Sequence, residues 1–294
     1  RANKASSAAN KEVMSMIMAN EVPWCVASVP VPSWAKKVFP GLPEDEAVAK
    51  LWDEIYSAIR IDDNGGAVDR WRKHCATLSA RAKKLTDYAF KCLHYTNSLG
   101  TDLTVELPVG HIWAAGSEFS KSGIEFVANI PTEEVFTAPK RSGVNGKIVA
   151  TKPLVLGGNV VNNFYMILKD GKIVDVHAEE GEEVLRQEIA LDEGASYLGE
   201  VALVPFDSPI SASGVLFYNT LFDENASCHF AFGEAYPTCI QCGEEMTKEQ
   251  LKEHGLNESI THVDFMVGSR DLSVVGVAQD GEEIPVFVNG NFAF

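Results

Sequence analysis

The sequence predicts a mixed fold, α/β and α+β, in which a partial N-terminal α/β domain precedes a β-rich mixed domain with a few helices. The composition of the 294-residue chain, 46% hydrophobic and 22% charged, is ordinary for a globular protein and allows one large domain or two. The first third has helical periodicity, whereas most of the remainder consists of short β-branched and aromatic segments. We therefore expect a boundary near residue 105, with domains of residues 1–105 and 106–294.

Helical patterns dominate the first domain. A short helix is predicted over residues 9–18, and the apolar run VPWCVASV at 22–29 predicts a buried strand that ends in a Pro-rich turn. Residues 43–59 have acidic residues in the first turn and apolar residues at helical spacing, which predicts an amphipathic helix. A longer helical pattern covers residues 67–99 and ends at Gly100.

Short strand-forming segments fill the second domain. They are TDLTVELP, GIEFVANIP, KIVATKPLVL, NFYMILKDG, KIVDVHA, YLGEVALVPF, ITHVDFMVG, LSVVGVAQ and IPVFVNGNFAF. The sequence Lys169-Asp170-Gly171 indicates a hairpin turn, and Asp280-Gly281 indicates another turn. Helices are predicted over residues 182–192 and 247–253.

The charge and cysteine content exclude several classes of partner. A net charge of −16 opposes nucleic-acid binding, which needs a basic surface. No apolar run approaches the roughly 18 residues that span a bilayer, so we expect no membrane partner. The six cysteines are scattered through a long chain, which favours a reduced, cytoplasmic setting.

Four separate segments place acidic or histidine side chains in apolar surroundings. In THVDFMVG, His262 and Asp264 share one face of a predicted strand, while the other face is apolar. Glu200 lies within YLGEVALV, and His229 in SCHFAFG points away from the apolar residues beside it. A pair of glutamates in IPTEEVF follows a proline turn. The recurrence in one domain suggests that these groups serve one site.

Ionisable groups in apolar strands need partners, because an unpaired buried charge is unfavourable. Carboxylate and imidazole groups are the ligands that suit zinc, cobalt or manganese, and a pair of divalent cations would satisfy several carboxylates together. Ion pairs with arginine and lysine are the structural alternative, for which Arg270 is the obvious partner of the His-Asp strand. The residue types alone leave both possibilities open.

Other catalytic patterns are missing from the sequence. It has no HExxH helix, no GxSxG motif and no P-loop. The single CxxC motif, Cys239 to Cys242, has no second pair at zinc-site spacing. Cys228 and His229 are neighbours on a strand, so their side chains point apart and cannot form a Cys-His pair.

The segments IPTEEVFTAP, LGEVALVPFDSPIS, LFDENASCHFAFGEAYP and THVDFMVGSRDLSV resemble those of the thermophilic-type metallo-aminopeptidase family, of the aminopeptidase T, aminopeptidase S and PepS type. Several long motifs occur in the family order, which makes the resemblance specific, and it extends through most of the chain. The resemblance implies that residues 106–294 form a catalytic domain with two divalent metal ions. It also implies that residues 1–105 correspond to only the later part of the family's N-terminal region.

The resemblance assigns roles to individual side chains. Glu200 is expected to bridge the two ions. Either Glu133 or Glu134 would be a ligand, and the spacing to Glu200 favours Glu134, which leaves Glu133 as the candidate general base. Tyr236, in GEAYP, is expected to donate a hydrogen bond to the oxyanion. The full set of implied metal ligands is Glu134, Glu200, Glu224, His229, His262 and Asp264.

The implied activity is hydrolysis of the N-terminal peptide bond of peptides with a free N-terminus, through a metal-activated water. The resemblance also implies a homodimer, and the ions would be zinc, cobalt, manganese or magnesium. Two alternatives stay open: another two-metal hydrolase such as an amidohydrolase, and a catalytically impaired metal-binding fragment. The lack of a basic phosphate-binding loop opposes a phosphoesterase.

Overall fold

The computed structural model describes residues 20–294, together with residues 13, 16 and 17. The helix predicted over residues 9–18 lies almost entirely outside the described residues. Along residues 20–294, the chain contains both helices and antiparallel sheets, which confirms the predicted mixed class. None of the helices in the described part of the chain combines the length and apolar character needed to cross a bilayer.

Most helices precede the strands or lie in the connections between them. The amphipathic helix α2 has the predicted bounds to within one residue at each end, and its apolar stripe is buried. Short 3₁₀ turns lie at residues 194–196, 224–226, 237–239 and 243–245. The α-helices are α1 (Pro32–Val38), α2 (Glu44–Ala58), α3 (Ala67–Tyr88), α4 (Glu182–Ile189), α5 (Pro209–Ser213), α6 (Thr220–Asp223) and α7 (Lys248–Glu253).

The strands form a nine-stranded sheet, a five-stranded sheet and a two-stranded ribbon, all antiparallel. The strands are β1 (Cys92–Thr96), β2 (Asp102–Glu106), β3 (Ala114–Ala115), β4 (Glu118–Phe119), β5 (Glu125–Phe126), β6 (Val135–Thr137), β7 (Val144–Val149), β8 (Leu154–Leu156), β9 (Asn159–Lys169), β10 (Lys172–Glu180), β11 (Leu198–Leu203), β12 (His229–Gly233), β13 (His262–Met266), β14 (Ser273–Val277), β15 (Glu283–Val288) and β16 (Asn291–Phe292). The predicted turn at residues 169–171 joins β9 to β10, and the turn at 280–281 joins β14 to β15.

The large sheet has the order β10-β9-β7-β2-β1-β14-β15-β16, with β8 paired to β9. Strands β1 and β2 thus lie in the middle of a sheet whose other members come from residues 144–292. The sheet therefore includes strands from both sides of residue 105.

The five-stranded sheet has the order β13-β12-β11-β6-β3. One of its faces packs on the large sheet through aromatic side chains: the ring of Phe230 lies 5.1 Å from that of Tyr95, and the ring of Phe265 lies 5.8 Å from that of Phe164. Alternation along each strand sends the intervening side chains to the opposite face. The small sheet therefore joins the main hydrophobic core on one side to a polar surface on the other.

Two predictions for the first hundred residues were wrong. Residues 22–29 form no buried strand: Val26 makes a single bridge to Asn129, and 45% of Val26 is exposed. An apolar run of this length does not by itself show whether an extended segment enters a sheet. The helical pattern at 67–99 ends earlier than predicted, at Tyr88, because Ala89 adopts a left-handed conformation and the chain then enters β1.

Replacement of Phe265 by alanine is expected to lower the free energy of unfolding by about 3–5 kcal/mol, since this fully buried ring packs both sheets together. Urea denaturation measures the change. The matched control is Val174→Ala on β10, where 55% of the valine is exposed and the expected change is within about 0.5 kcal/mol. Similar losses in the two variants would contradict the inter-sheet role of Phe265.

Candidate metal centre

Four adjacent strands of the small sheet bring acidic and histidine side chains to one face. Glu134 immediately precedes β6, Glu200 lies on β11, His229 begins β12, and His262 and Asp264 lie on β13. In the cross-strand register, Ala231 lies opposite both Glu200 and Asp264. Residues that are directly opposite in an antiparallel pair share a face, so the strand order alone brings these groups together.

The side chains form two groups of possible ligands that have one residue in common. In the first group, His229 Nε2 lies 3.1 Å from Glu134 Oε2 and 3.4 Å from Glu200 Oε1. In the second, His262 Nε2 lies 3.5 Å from Glu200 Oε2 and 3.3 Å from Asp264 Oδ1. Within each group the ligand atoms lie within 4.8 Å of one another. The two oxygens of Glu200 therefore face different groups, as in a bridging carboxylate.

Backbone carbonyls fix the orientation of both imidazole rings. The Nδ1 atom of His229 lies 3.2 Å from the carbonyl oxygen of Ser227, and that of His262 lies 2.8 Å from the carbonyl oxygen of Glu234. When each Nδ1 donates a proton to its carbonyl, Nε2 presents a lone pair to the carboxylates. Metal-binding histidines are oriented by hydrogen bonds of this kind.

Small residues and a β-bulge leave room around Glu200. The pairing of β11 and β12 shifts register at Gly199, immediately before Glu200, and a bulge of this type changes the direction of the side chain that follows it. A Cβ atom at Gly199 would lie 2.2 Å from the carbonyl oxygen of Glu234, so only glycine fits there. Ala231 and Gly233 occupy the adjoining positions on the same face, where larger side chains would fill the space between the ligands.

The negative charge of the cluster favours the binding of cations. Four carboxylates (Glu134, Glu200, Glu224 and Asp264) face two imidazoles, and within residues 20–294 their only ion-pair partners are the histidines. Arg270, the alternative partner, lies instead over the ring of Phe206 at 5.3 Å. With neutral histidines, two divalent cations would balance the four negative charges. The donor set therefore fits a pair of divalent metal ions.

Without cations, the carboxylates disfavour one another's ionisation. Burial is the largest cause that raises the pKa of Glu200, and the negative charges of Asp264 and Glu134 raise it further against the hydrogen bond from His229. Burial raises the pKa of Glu224 well above its usual range, and the same neighbouring carboxylates contribute. Burial lowers the pKa of His229, but its hydrogen bonds to Glu134 and Glu200 outweigh burial and the net direction is upward.

A cavity of about 230 Å³ opens on the cluster. Glu224 and Tyr236 both line it, together with the two groups of possible ligands. Glu224 is absent from both close groups but faces the same space. The ring of Tyr236 lies 5.0 Å from that of His262, and burial, then the nearby carboxylates, raise the pKa of its hydroxyl.

Glu133 does not join the cluster. Its carboxylate forms an ion pair with the Arg60 guanidinium, in which Nη2 donates to Oε2 at 2.7 Å, and it lies 3.7 Å from His74 Nε2. Glu133 is buried beside these partners and does not line the cavity. The geometry therefore gives no support to the expectation that Glu133 acts as the general base.

Sequence reasoning missed Asn225 as a positioning residue. Its Oδ1 accepts a hydrogen bond from the backbone N–H of Glu133 at 2.7 Å, and its Nδ2 donates to the carbonyl oxygen of Leu221 at 3.0 Å. This fully buried amide connects the turn before β6 to the turn that presents Glu224. The motif DENAS contains Asn225, but its pattern resembles an ordinary turn and gave no signal of the long-range contact.

Comparisons with known proteins agree with this geometry. Residues 1–292 match the family described as thermophilic metalloprotease (M29). Aminopeptidase AmpS of Bacillus subtilis is 48% identical over 291 residues, which are 99% of this chain and 70% of that protein. Aminopeptidase T of Thermus aquaticus is 43% identical over 292 residues, 99% of this chain and 71% of that protein. The solved structure of wild-type AmpT from Thermus thermophilus has 42% identity and a TM-score of 0.92, and the match covers 100% of this chain and 71% of that one.

The similarity extends across almost all of this chain, which spans about 70% of the length of these relatives. It includes the four strands that carry the cluster, so it applies to the sheet that positions the possible ligands as well as to the surrounding fold. The resemblance noticed in the sequence motifs is confirmed. The chain belongs to the thermophilic metalloprotease (M29) family.

Proposed function

We propose that this chain is a two-metal aminopeptidase that hydrolyses the N-terminal peptide bond of peptides. The observation that carries this proposal is the position of Glu200, whose two oxygens face separate groups of possible ligands. Family membership supports metal-dependent hydrolysis, and the relatives named above are aminopeptidases. The geometry of the cluster supports the proposed number of ions and the proposed roles of individual residues.

In this proposal, Glu134, Glu200 and His229 would hold one ion, and Glu200, His262 and Asp264 would hold the other. Glu224 completes the set as a further ligand from the wall of the cavity. Carboxylate oxygens with one imidazole per ion suit zinc, cobalt or manganese, and magnesium is the oxygen-preferring alternative. When bound, such ions lower the pKa of a water molecule and polarise a carbonyl group.

The protein's own groups orient the substrate and manage protons. The Tyr236 ring is fixed against His262, and because its pKa is raised, the hydroxyl stays protonated and can donate a hydrogen bond to the oxyanion. A carboxylate that lines the cavity would take the proton of the attacking water and return it to the leaving amine, and Glu224, which belongs to neither close group, would serve as this base if it does not bind an ion. Glu133 instead fixes the turn that precedes β6 and so positions Glu134.

A homodimer and a cytoplasmic location also remain part of the proposal. The homodimer comes from the family resemblance. The reducing location is supported by the six cysteines, which are all free: Cys75, Cys228 and Cys239 are buried, Cys92 is half-buried, and Cys25 and Cys242 are exposed. Exposed free thiols are typical of proteins that are kept reduced.

The proposed function predicts that the protein cleaves aminoacyl p-nitroanilides, loses this activity with a chelator and regains it with zinc, cobalt or manganese. The release of nitroaniline measures turnover, and thermal denaturation measures metal binding. Cleavage of amides without a free α-amine at equal rates would indicate a different amidohydrolase. Metal-dependent stabilisation without turnover of any anilide would indicate a catalytically impaired metal-binding fragment.

A bridging role for Glu200 predicts a specific difference between two variants. Glu200→Gln is expected to reduce the metal content of both sites, whereas Glu134→Gln is expected to reduce only one, because Glu134 belongs only to the group that contains His229. Activity should fall by at least about 100-fold in Glu200→Gln. Elemental analysis gives the number of ions per chain, with Glu179→Gln on the exposed face of β10 as the control. Equal metal loss in the two ligand variants would contradict bridging.

Because Arg60 and Glu133 form an ion pair, removal of Arg60 is expected to destabilise the protein, and removal of the charge on Glu133 as well is expected to restore part of the stability. Arg60→Ala leaves a buried carboxylate without its cation and is expected to lower the free energy of unfolding by about 3–5 kcal/mol. The double variant Arg60→Ala, Glu133→Gln removes both charges and should recover at least half of this loss, as measured by urea denaturation. It should also keep its activity at temperatures where it is folded. A folded, metal-loaded but inactive double variant would restore Glu133 as the general base.

A further inference from the structure

Peptidases that act at the N-terminus must recognise a free α-ammonium group, and none of the possible metal ligands is left over for this purpose. We propose that Glu118 binds the α-ammonium group of the first residue of the substrate. This inference rests on the proposed function of the same cavity and names the group within it that sets the requirement for a free N-terminus.

Glu118 lies on β4, in the two-stranded ribbon outside the sheet that carries the possible ligands. It lines the 230 Å³ cavity together with Asn20 and Trp24, which also lie outside that sheet. It also lines a narrower adjoining space of about 40 Å³ with Glu134 and Asn129. A carboxylate that borders both spaces is placed to contact a ligand while the scissile bond lies over the cluster.

Two neighbouring side chains fix the carboxylate of Glu118 and leave part of it free. The Nδ2 atom of Asn20 donates to Glu118 Oε2 at 2.7 Å, and the indole N–H of Trp24 donates to Asn20 Oδ1 at 3.1 Å. Because an indole N–H can only donate, Asn20 accepts through Oδ1 and donates through Nδ2, and the orientation of its amide group is fixed. The other oxygen, Glu118 Oε1, has no hydrogen-bond or ion-pair partner among residues 20–294 and is available to a donor on the substrate.

The charges of the cavity favour a cation at this position. Two divalent ions would balance the four carboxylates of the cluster, so Glu118 contributes one further negative charge that the protein does not neutralise within the described residues. A substrate ammonium group would neutralise it with charge-assisted hydrogen bonds, which are stronger than those between neutral groups. An acylated N-terminus carries no charge and would leave Glu118 Oε1 without a donor in a partly buried site.

The remaining walls are suited to an uncharged first side chain. Trp24, Ala128 and Phe136 present apolar surface to the cavity, and Thr238 adds a small polar group. An acidic first side chain would add a negative charge to a cavity that is already lined by Glu118 and the carboxylates of the cluster. The geometry thus points to peptides with a free amine and an uncharged or apolar first residue as substrates.

The test compares Glu118→Gln with the wild-type protein, both loaded with metal. For aminoacyl p-nitroanilides, the variant is expected to raise KM by about 10- to 100-fold and to change kcat less, because the ammonium contact exists in both the ground state and the transition state. The inhibition constant of a simple alkylamine should rise by a similar factor, whereas that of the matched alkanol should change by less than about twofold. Elemental analysis should show unchanged metal content.

Glu125→Gln is the matched control, since it removes the same charge from the same ribbon at a residue that does not line the metal cavity. Its KM and inhibition constants should equal those of the wild type. The inference would be overturned if Glu118→Gln left the ratio of the inhibition constants of alkylamine and alkanol unchanged. Loss of metal from this variant would also overturn it, because Glu118 would then be a metal ligand. Lack of turnover in the wild-type protein would instead count against the proposed function, and the two failures are therefore distinguishable.

Discussion

The main constraint on this structure is that three carboxylates and two histidines share one face of a small antiparallel sheet, with a fourth carboxylate, Glu224, facing the same cavity from the turn before β12. Without cations this arrangement opposes folding, because burial and mutual repulsion both raise the pKa of Glu200 and Glu224. The opposite face of the same strands has phenylalanines that pack on the large sheet. The apolar face therefore provides the stability that lets the polar face keep an unfavourable cluster, and bound metal would convert that cluster into a further stabilising contact.

The order of the strands explains how Glu200 can belong to both groups of possible ligands. Strand β11, which carries Glu200, lies between β6 and β12, so Glu134, just before β6, and His229 on β12 approach it from its two sides to form the first group. The second group receives His262 and Asp264 from β13, which lies at the edge beyond β12. The register shift at Gly199 and the small Ala231 keep the centre of the face open.

Much of this could be predicted from the sequence, and the failures have physical reasons. Alternation in SCHFAFG and THVDFMVG correctly placed His229, His262 and Asp264 on the face opposite the phenylalanines, because strand periodicity is a local property. The contacts of Glu133 could not be predicted from its neighbours in the sequence, because its partners Arg60 and His74 come from the helical region. The helix end at Ala89 was missed because a left-handed alanine is uncommon, and the predicted stop was a glycine.

The helical region and ribbon, although they contribute no ligand, act on the site from outside the sheet. Arg60, after α2, pairs with Glu133 in the turn that precedes Glu134, and β4 carries Glu118 to the cavity that the possible ligands line. In the proposed function, the sheet and the turn before β12 supply the groups that would bind ions, whereas the ribbon supplies the group that would bind the substrate ammonium. Asn20 and Trp24 orient Glu118 through two hydrogen bonds that involve none of the possible ligands, so substitutions there would alter substrate recognition and leave the ligand geometry of the sheet unchanged.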